Sequence, residues 1–162
     1  MEEQPVESNP SVRTVLEFAL EREKAAYRFY VDLMQRIEDP GARDALDFLA
    51  REETRHREFL ERYLRGEVAE GSLRLTQVVD YKIIEHASDE PDPEGPLSPE
   101  KAFLVAAKRE KASHELYRDL GRMHPEGPVR SLLERMSQEE LRHKEKVEYL
   151  YANTAFPQTS GG

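Results

Sequence analysis

Apolar residues recur at steps of three and four along four stretches of this chain. The first stripe runs through Val12, Leu16, Ala19, Ala26, Tyr30, Leu33 and Ile37, and the second through Leu46, Leu49, Leu60 and Tyr63. A third holds Phe103, Ala106, Tyr117 and Leu120, and a fourth Leu133, Met136, Val147 and Leu150. A period near 3.6 is that of a helix with one buried face. It predicts helices over about 10–38, 41–65, 98–123 and 128–154, and an all-α fold. The punctuation agrees. Asn9-Pro10, Asp39-Pro40 and Ser98-Pro99 each pair an N-capping side chain with a proline suited to the first helical turn. Pro128 opens the fourth stretch, and Gly66 follows the second as a stop.

These helices predict one domain over 10–155, with flexible ends at 1–9 and 156–162. Between the second and third helices lies a connector, 67–97. Its first part, "LTQVVDYKIIEHA", is apolar enough to pack and is expected to form a short helix. Its second part, "SDEPDPEGP", reads as an extended surface loop. A connector of this length suits a four-helix bundle in which the second and third helices are not hairpin neighbours, so that the chain runs the length of the bundle between them.

The chain also repeats itself. "EREKAAYRFYVDL" at 21–33 matches "KREKASHELYRDL" at 108–120, and "REETRHREFLERYL" at 51–64 matches "QEELRHKEKVEYLY" at 138–151. Both matches share one offset, 87 residues, which takes Glu23 to Glu110, Tyr30 to Tyr117, Glu53 to Glu140 and His56 to His143. Two similar helix pairs predict a pseudo-twofold axis.

Every apolar stripe is interrupted near its middle. The interruptions are Glu23, then Glu53 with His56, then Glu110, then Glu140 with His143. Neighbouring charges in the second helix, Arg51, Glu52, Arg55 and Arg57, fall to the outside on the same wheel. Four inward carboxylates in one layer cannot stand bare, because burying an unpaired ion costs several kcal/mol or more. No Lys or Arg lies on the stripes at that level, whereas two divalent cations would balance the charge. Residues three apart on a helix share a face, so Glu and His of one Glu-x-x-His can serve one metal pair. A Glu from each of two helices with Glu-x-x-His from each of the other two is the ligand pattern of di-iron and di-manganese carboxylate bundles. Carboxylate and imidazole suit iron or manganese.

Composition narrows the classes further. The 162 residues carry a net charge of −9, which gives no electrostatic reason to bind nucleic acid or an anionic membrane. No apolar run is long enough to cross a bilayer, and "MEEQPVESNP" lacks a signal-peptide pattern, so the expected location is the cytoplasm. There is no cysteine, which excludes disulfides, thiolate catalysis, Cys-ligated zinc and iron–sulfur clusters in these residues.

In "EREKAAYRFY", "EETRH", "REKASHELY" and "EELRH", taken in this order, the chain resembles the rubrerythrin branch of the ferritin-like superfamily. The resemblance implies a left-handed crossover between helices two and three, with Glu53 and Glu140 bridging two metals. Glu23 and Glu110 would bind terminally, and His56 and His143 would cap one metal each. It implies two iron ions per chain, with manganese as the alternative, and chemistry on H2O2 or O2. Two departures go with it. Full rubrerythrins carry a Cys-ligated rubredoxin domain, which a chain without cysteine lacks, so electrons would come from an external donor. Rubrerythrins also place an extra Glu one turn past the third-helix ligand, where this chain has Ser113. The site is then more symmetric, as in ferritin-type ferroxidases. Related bundles dimerise, so a homodimer is expected.

Other polar residues read more plainly. Tyr30 and Tyr117 lie on the stripes two turns from Glu23 and Glu110, placed to pack in the core and donate a hydrogen bond to a ligand carboxylate; a redox relay is the alternative. His114 is read as a flank packer, with a seventh ligand or a proton donor as the alternative. His124 suits a helix end, and His86 the surface of the connector. The functional expectation is a non-haem di-iron oxidoreductase of peroxidase or ferroxidase type. The alternatives are a ferritin-like iron store and a bundle that has lost its metal and serves as an interaction module.

Overall fold

A computed structural model describes residues 10–69, 80–86 and 95–155. Four helices carry the fold: α1 (Pro10–Met34), α2 (Pro40–Leu64), α3 (Pro99–Arg122) and α4 (Pro128–Ala155). Among the described residues there is no strand, and the four helices form an all-α bundle. The expected flexible ends, 1–9 and 156–162, lie outside the described residues.

The proline-led starts behave as their chemistry requires. The Asp39 carboxylate accepts from Ala42 N–H at 2.9 Å, and the Ser98 hydroxyl accepts from Lys101 N–H at 3.3 Å. Each cap satisfies one of the unpaired N–H groups of a first helical turn. Gly66 follows α2 at φ +73°, a conformation that favours glycine. The first helix, expected to reach 38, stops at Met34. Arg36 N–H and Ile37 N–H then bond to carbonyls three residues back, a tightening that closes the helix end. Asp39 precedes a proline and is extended (φ −63°, ψ 121°), which a continuing helix could not provide. Ile37 nevertheless stays buried, so its place on the stripe was right while the helix boundary was not.

Side-chain pairings between helices set the topology. Tyr30 of α1 meets Glu110 of α3, while Glu23 meets Tyr117, so α1 and α3 run antiparallel. His56 of α2 faces Glu139 and Glu140 of α4, while Glu52 and Glu53 face His143, so these two are antiparallel as well. With hairpins α1–α2 and α3–α4, α2 and α3 must then be parallel. Parallel neighbours in sequence need a connection that travels the length of the bundle, which is the task of 67–97.

In the connector, the described part contains a single 3-10 turn, Ile84–His86, rather than a longer helix; residues 70–79 and 87–94 lie outside the description, and with them most of the acidic loop and the environment of His86. Ile84 and Leu97 pack into the core.

That core is divided. One apolar cluster gathers the end of α1, the starts of α2 and α3 and Val147 of α4. The other gathers the start of α1, the ends of α2 and α3 and the start of α4. Between them lies a layer of buried Glu and His.

Candidate metal centre

Glu23, Glu53, His56, Glu110, Glu140 and His143 are each only 1% exposed. Each occupies an inward position one to two turns from apolar neighbours, so burial of the stripes carries the charges inside with them. The helices bring all six together. Ligand atoms of Glu23, Glu53, His56 and Glu140 lie within 4.8 Å of one another, as do those of Glu53, Glu110, Glu140 and His143. Glu53 and Glu140 are common to both quartets, whereas each of the other four belongs to one.

His56 Nδ1 lies 3.4 Å from Glu140 and 3.8 Å from Glu23; His143 Nδ1 lies 3.7 Å from Glu110 and from Glu140. The two imidazoles stack, centroids 5.5 Å apart and planes 14° from parallel. The repeat in sequence has become a twofold relation in space.

Two tyrosines complete the symmetry. Tyr30 Oη donates to Glu110 at 2.6 Å, and Tyr117 Oη donates to Glu23 at 2.7 Å. Burial, with the carboxylates beside them, raises both phenols well above their ordinary range, so they act as donors.

Most of the remaining oxygens and nitrogens of these six residues make no hydrogen bond. Glu23 Oε2, Glu53 Oε2, Glu110 Oε2, both Glu140 oxygens and all four ring nitrogens of His56 and His143 are buried without a hydrogen bond. Buried polar atoms are normally satisfied, and so many orphans converging on one space call for a ligand. Metals would supply it: four carboxylates and two imidazoles match two divalent ions in charge and in donor type.

Without a cation, protons must reduce the charge. Burial raises Glu53 well above the usual carboxylate range, reinforced by Glu140 and Glu23. Burial raises Glu110 to about 8, with Glu140 adding to it. Against the same burial, contacts with Glu110, His143 and His56 hold Glu140 well below the ordinary range. Burial opposes the charged form of the imidazoles too, yet Glu139, Glu140 and Glu23 raise His56, and Glu110, Glu140 and Glu52 raise His143.

The outward assignment of Glu52 is corrected. Its side chain is 13% exposed and its Oε2 lies 3.4 Å from His143 Nε2. Its repeat mate Glu139, 2% exposed, lies 3.6 Å from His56 Nε2. Both glutamates sit one residue off the inward stripe, where a helical wheel puts them at the boundary; the second helix pair draws them in. The sequence did hold a signal, since the first Glu of Glu-Glu-x-x-His is repeated along with the second.

His114 is not part of either quartet. Its Nδ1 contacts Ser137 of α4, 2.8 Å from the carbonyl and 2.9 Å from the hydroxyl, which is the flank-packing role. His124 Nδ1 lies 2.8 Å from the Leu120 carbonyl at the end of α3, as expected of a helix-end residue. Ser113 is buried one turn past Glu110.

A family model described as Rubrerythrin matches residues 2–64. Over that segment the chain is similar to rubrerythrins. The match covers the first helix pair, including Glu23, Glu53 and His56. Glu110, Glu140 and His143 lie beyond it and join through the internal repeat. No curated protein and no solved structure matches the chain.

Proposed function

We propose that this protein is a non-haem di-iron oxidoreductase that reacts with H2O2 or O2. The observation that carries the reading is the pair of overlapping Glu3His quartets, buried and orphaned, sharing Glu53 and Glu140. Glu23 with His56 would hold one ion and Glu110 with His143 the other, with Glu53 and Glu140 between them. Two redox-active ions so held would supply an electron each to an O–O bond.

The chain's own part is to bind, orient and enclose. Carboxylates from four helices would hold the ions, and the apolar clusters on either side exclude water from the layer. Tyr30 and Tyr117 fix the terminal carboxylates by holding one oxygen of each, which leaves Oε2 of Glu23 and of Glu110 to turn inward.

Reduction of H2O2 to two waters consumes two electrons and two protons. These residues contain no cysteine, so the electrons would come from a donor outside them in a peroxidase or from Fe(II) as substrate in a ferroxidase. A homodimer in the cytoplasm belongs to the same proposal; no helix among the described residues is long and apolar enough to cross a membrane.

The test is metal analysis of protein purified without chelator, followed by Fe(II) loading and addition of H2O2 or O2. Two irons per chain and oxidant-dependent turnover support the reading. No bound metal and no uptake of Fe(II) would sink it in favour of an interaction module, and a mineral core far above two irons per chain would make it an iron store.

A further inference from the structure

A third quartet of donors lies behind the first two. Glu52, His56, Glu139 and His143 also bring ligand atoms within 4.8 Å of one another, this time through the Nε2 edges of the imidazoles. This group could be a third cation site or a support for the two histidines.

Charge decides between them. Arg55 lies 2.5 Å from Glu52 and 3.8 Å from Glu139, and Arg142 lies 3.1 Å from Glu139 and 3.9 Å from Glu52. Two guanidinium groups therefore already neutralise the two outer carboxylates. The inner carboxylates have no such partners. Arg55 and Arg142 are themselves repeat mates, so the arrangement is twofold like the rest.

We propose that Glu52, Glu139, Arg55 and Arg142 are positioning residues that orient the metal-binding histidines crosswise between the helix pairs, a reading that rests on the metal centre proposed above. The Glu139 carboxylate of α4 faces Nε2 of His56 of α2 at 3.6 Å, which favours the proton on Nε2 and would leave Nδ1 for the ion shared with Glu23. Glu52 of α2 does the same for His143 of α4 and the ion shared with Glu110. A histidine ligand needs its other ring nitrogen engaged to fix the tautomer and the ring plane. The arginines hold each glutamate between two cations, so that neither swings to the metals as an extra ligand. Each ion is thus oriented by a residue of the opposite hairpin, which ties the two halves of the repeat into one site.

The experiment uses the full chain with labelled histidine, loaded with zinc as a diamagnetic probe. Two-bond proton–nitrogen correlation spectra report the tautomer of each ring, and zinc titration reports affinity. In the wild type, two zinc ions bind and His56 and His143 both carry the proton on Nε2. E139A is expected to disturb the His56 ring alone and E52A the His143 ring alone, each weakening zinc binding by about 10–100-fold. The milder E139Q keeps an acceptor, so it guards against misfolding: a smaller change confined to His56 is expected.

Normal zinc uptake with E139A moving His143, or moving neither ring, overturns the crosswise assignment and leaves the metal centre standing. A third zinc lost in both E52A and E139A overturns it in favour of a cation site. A wild type that binds no zinc, iron or manganese overturns the metal centre itself, and this inference with it.

Discussion

Tyr30 on α1 donates its hydroxyl hydrogen to Glu110 on α3 at 2.6 Å, and both residues are buried. The bond joins the two halves of the repeat and leaves the second Glu110 oxygen directed at the candidate centre. Y30F removes the donor and keeps the ring, so the packing is retained and one buried carboxyl oxygen loses its partner. A cost of about 1–3 kcal/mol is expected in the metal-free chain, read by denaturant unfolding. Y117F should cost a similar amount through Glu23, because its geometry is the mirror of this one. If the tyrosines only support the carboxylates, peroxide-driven Fe(II) oxidation in Y30F stays within about tenfold of wild type. Complete loss of oxidation with both irons still bound would assign Tyr30 the relay role instead.

Glu53 and Glu140 are each common to both quartets, whereas Glu23 and Glu110 belong to one apiece. Removal of a shared carboxylate is therefore expected to affect both ions and removal of a terminal one only its own. E53A and E140A should lose the paired-metal signal in absorption and magnetic spectra. E23A and E110A should keep one ion per chain by metal analysis. Two tightly held metals in E53A or E140A would refute the bridging assignment.

The inner six residues were legible because three conditions coincided: helical period, interruption of each stripe at one height, and a constant repeat offset. Any one Glu-x-x-His alone fits a solvated helix face. Glu52 and Glu139 were not legible from periodicity, because one residue of displacement on a helix is about 100° and places them at the edge of the inward face. Only the approach of α2 to α4 decides that such a residue is enclosed. The end of α1 was missed for a related reason: Ile37 is apolar and in phase, but Asp39-Pro40 forces the chain to turn before it. Lys144 gave no signal at all. Its repeat mate Arg57 is 34% exposed, while Lys144 is 1% exposed, because the connector crosses only one of the two equivalent positions.

Protonation gives the centre a pH dependence whose sign can be worked out. Glu110 titrates at about 8 in the folded chain and near 4.3 unfolded, so the folded state binds more protons in that window. This contribution is present below the unfolded value and is lost as pH rises towards 8. The raised imidazoles of His56 and His143 act in the same direction, their contribution disappearing as pH rises through their folded values. The lowered Glu52, Glu139 and Glu140 work at the other end, contributing above the unfolded carboxylate value and losing that contribution as pH falls. The metal-free chain is therefore expected to melt at a lower temperature at pH 9 than at pH 6. Bound metal requires deprotonated ligands, so its stabilisation should grow over the same range and offset the fall. Calorimetry with chelator and with metal checks both, and titration in buffers of different ionisation enthalpy should show protons released on binding. A metal-free chain that gains stability from pH 6 to pH 9 would contradict protonation of the buried layer.

The connector is fastened to α4 by a buried ion network beside the centre. Lys144 Nζ lies 2.8 Å from Asp80, 3.0 Å from Glu148 and 3.4 Å from Glu85. Glu148, itself 2% exposed, accepts the Ile84 N–H at 2.7 Å, so the network also satisfies a backbone donor of the 3-10 turn. Asp80 and Glu148 hold Lys144 above its ordinary range against burial, and the lysine remains charged throughout the neutral range. K144M keeps most of the stem and removes the charge, leaving Glu148 buried among carboxylates. Breaking a buried pair from one side costs about 3–5 kcal/mol, less here because Asp80 and Glu85 reach solvent. The expected result is a large fall in denaturation midpoint, together with faster proteolytic cutting near 80–86 under native conditions. The double variant K144M/E148Q should recover part of the loss by removing the stranded charge. Equal stability in K144M and wild type would mean that the crossover is held by Ile84 and Leu97 in the apolar core rather than by this network.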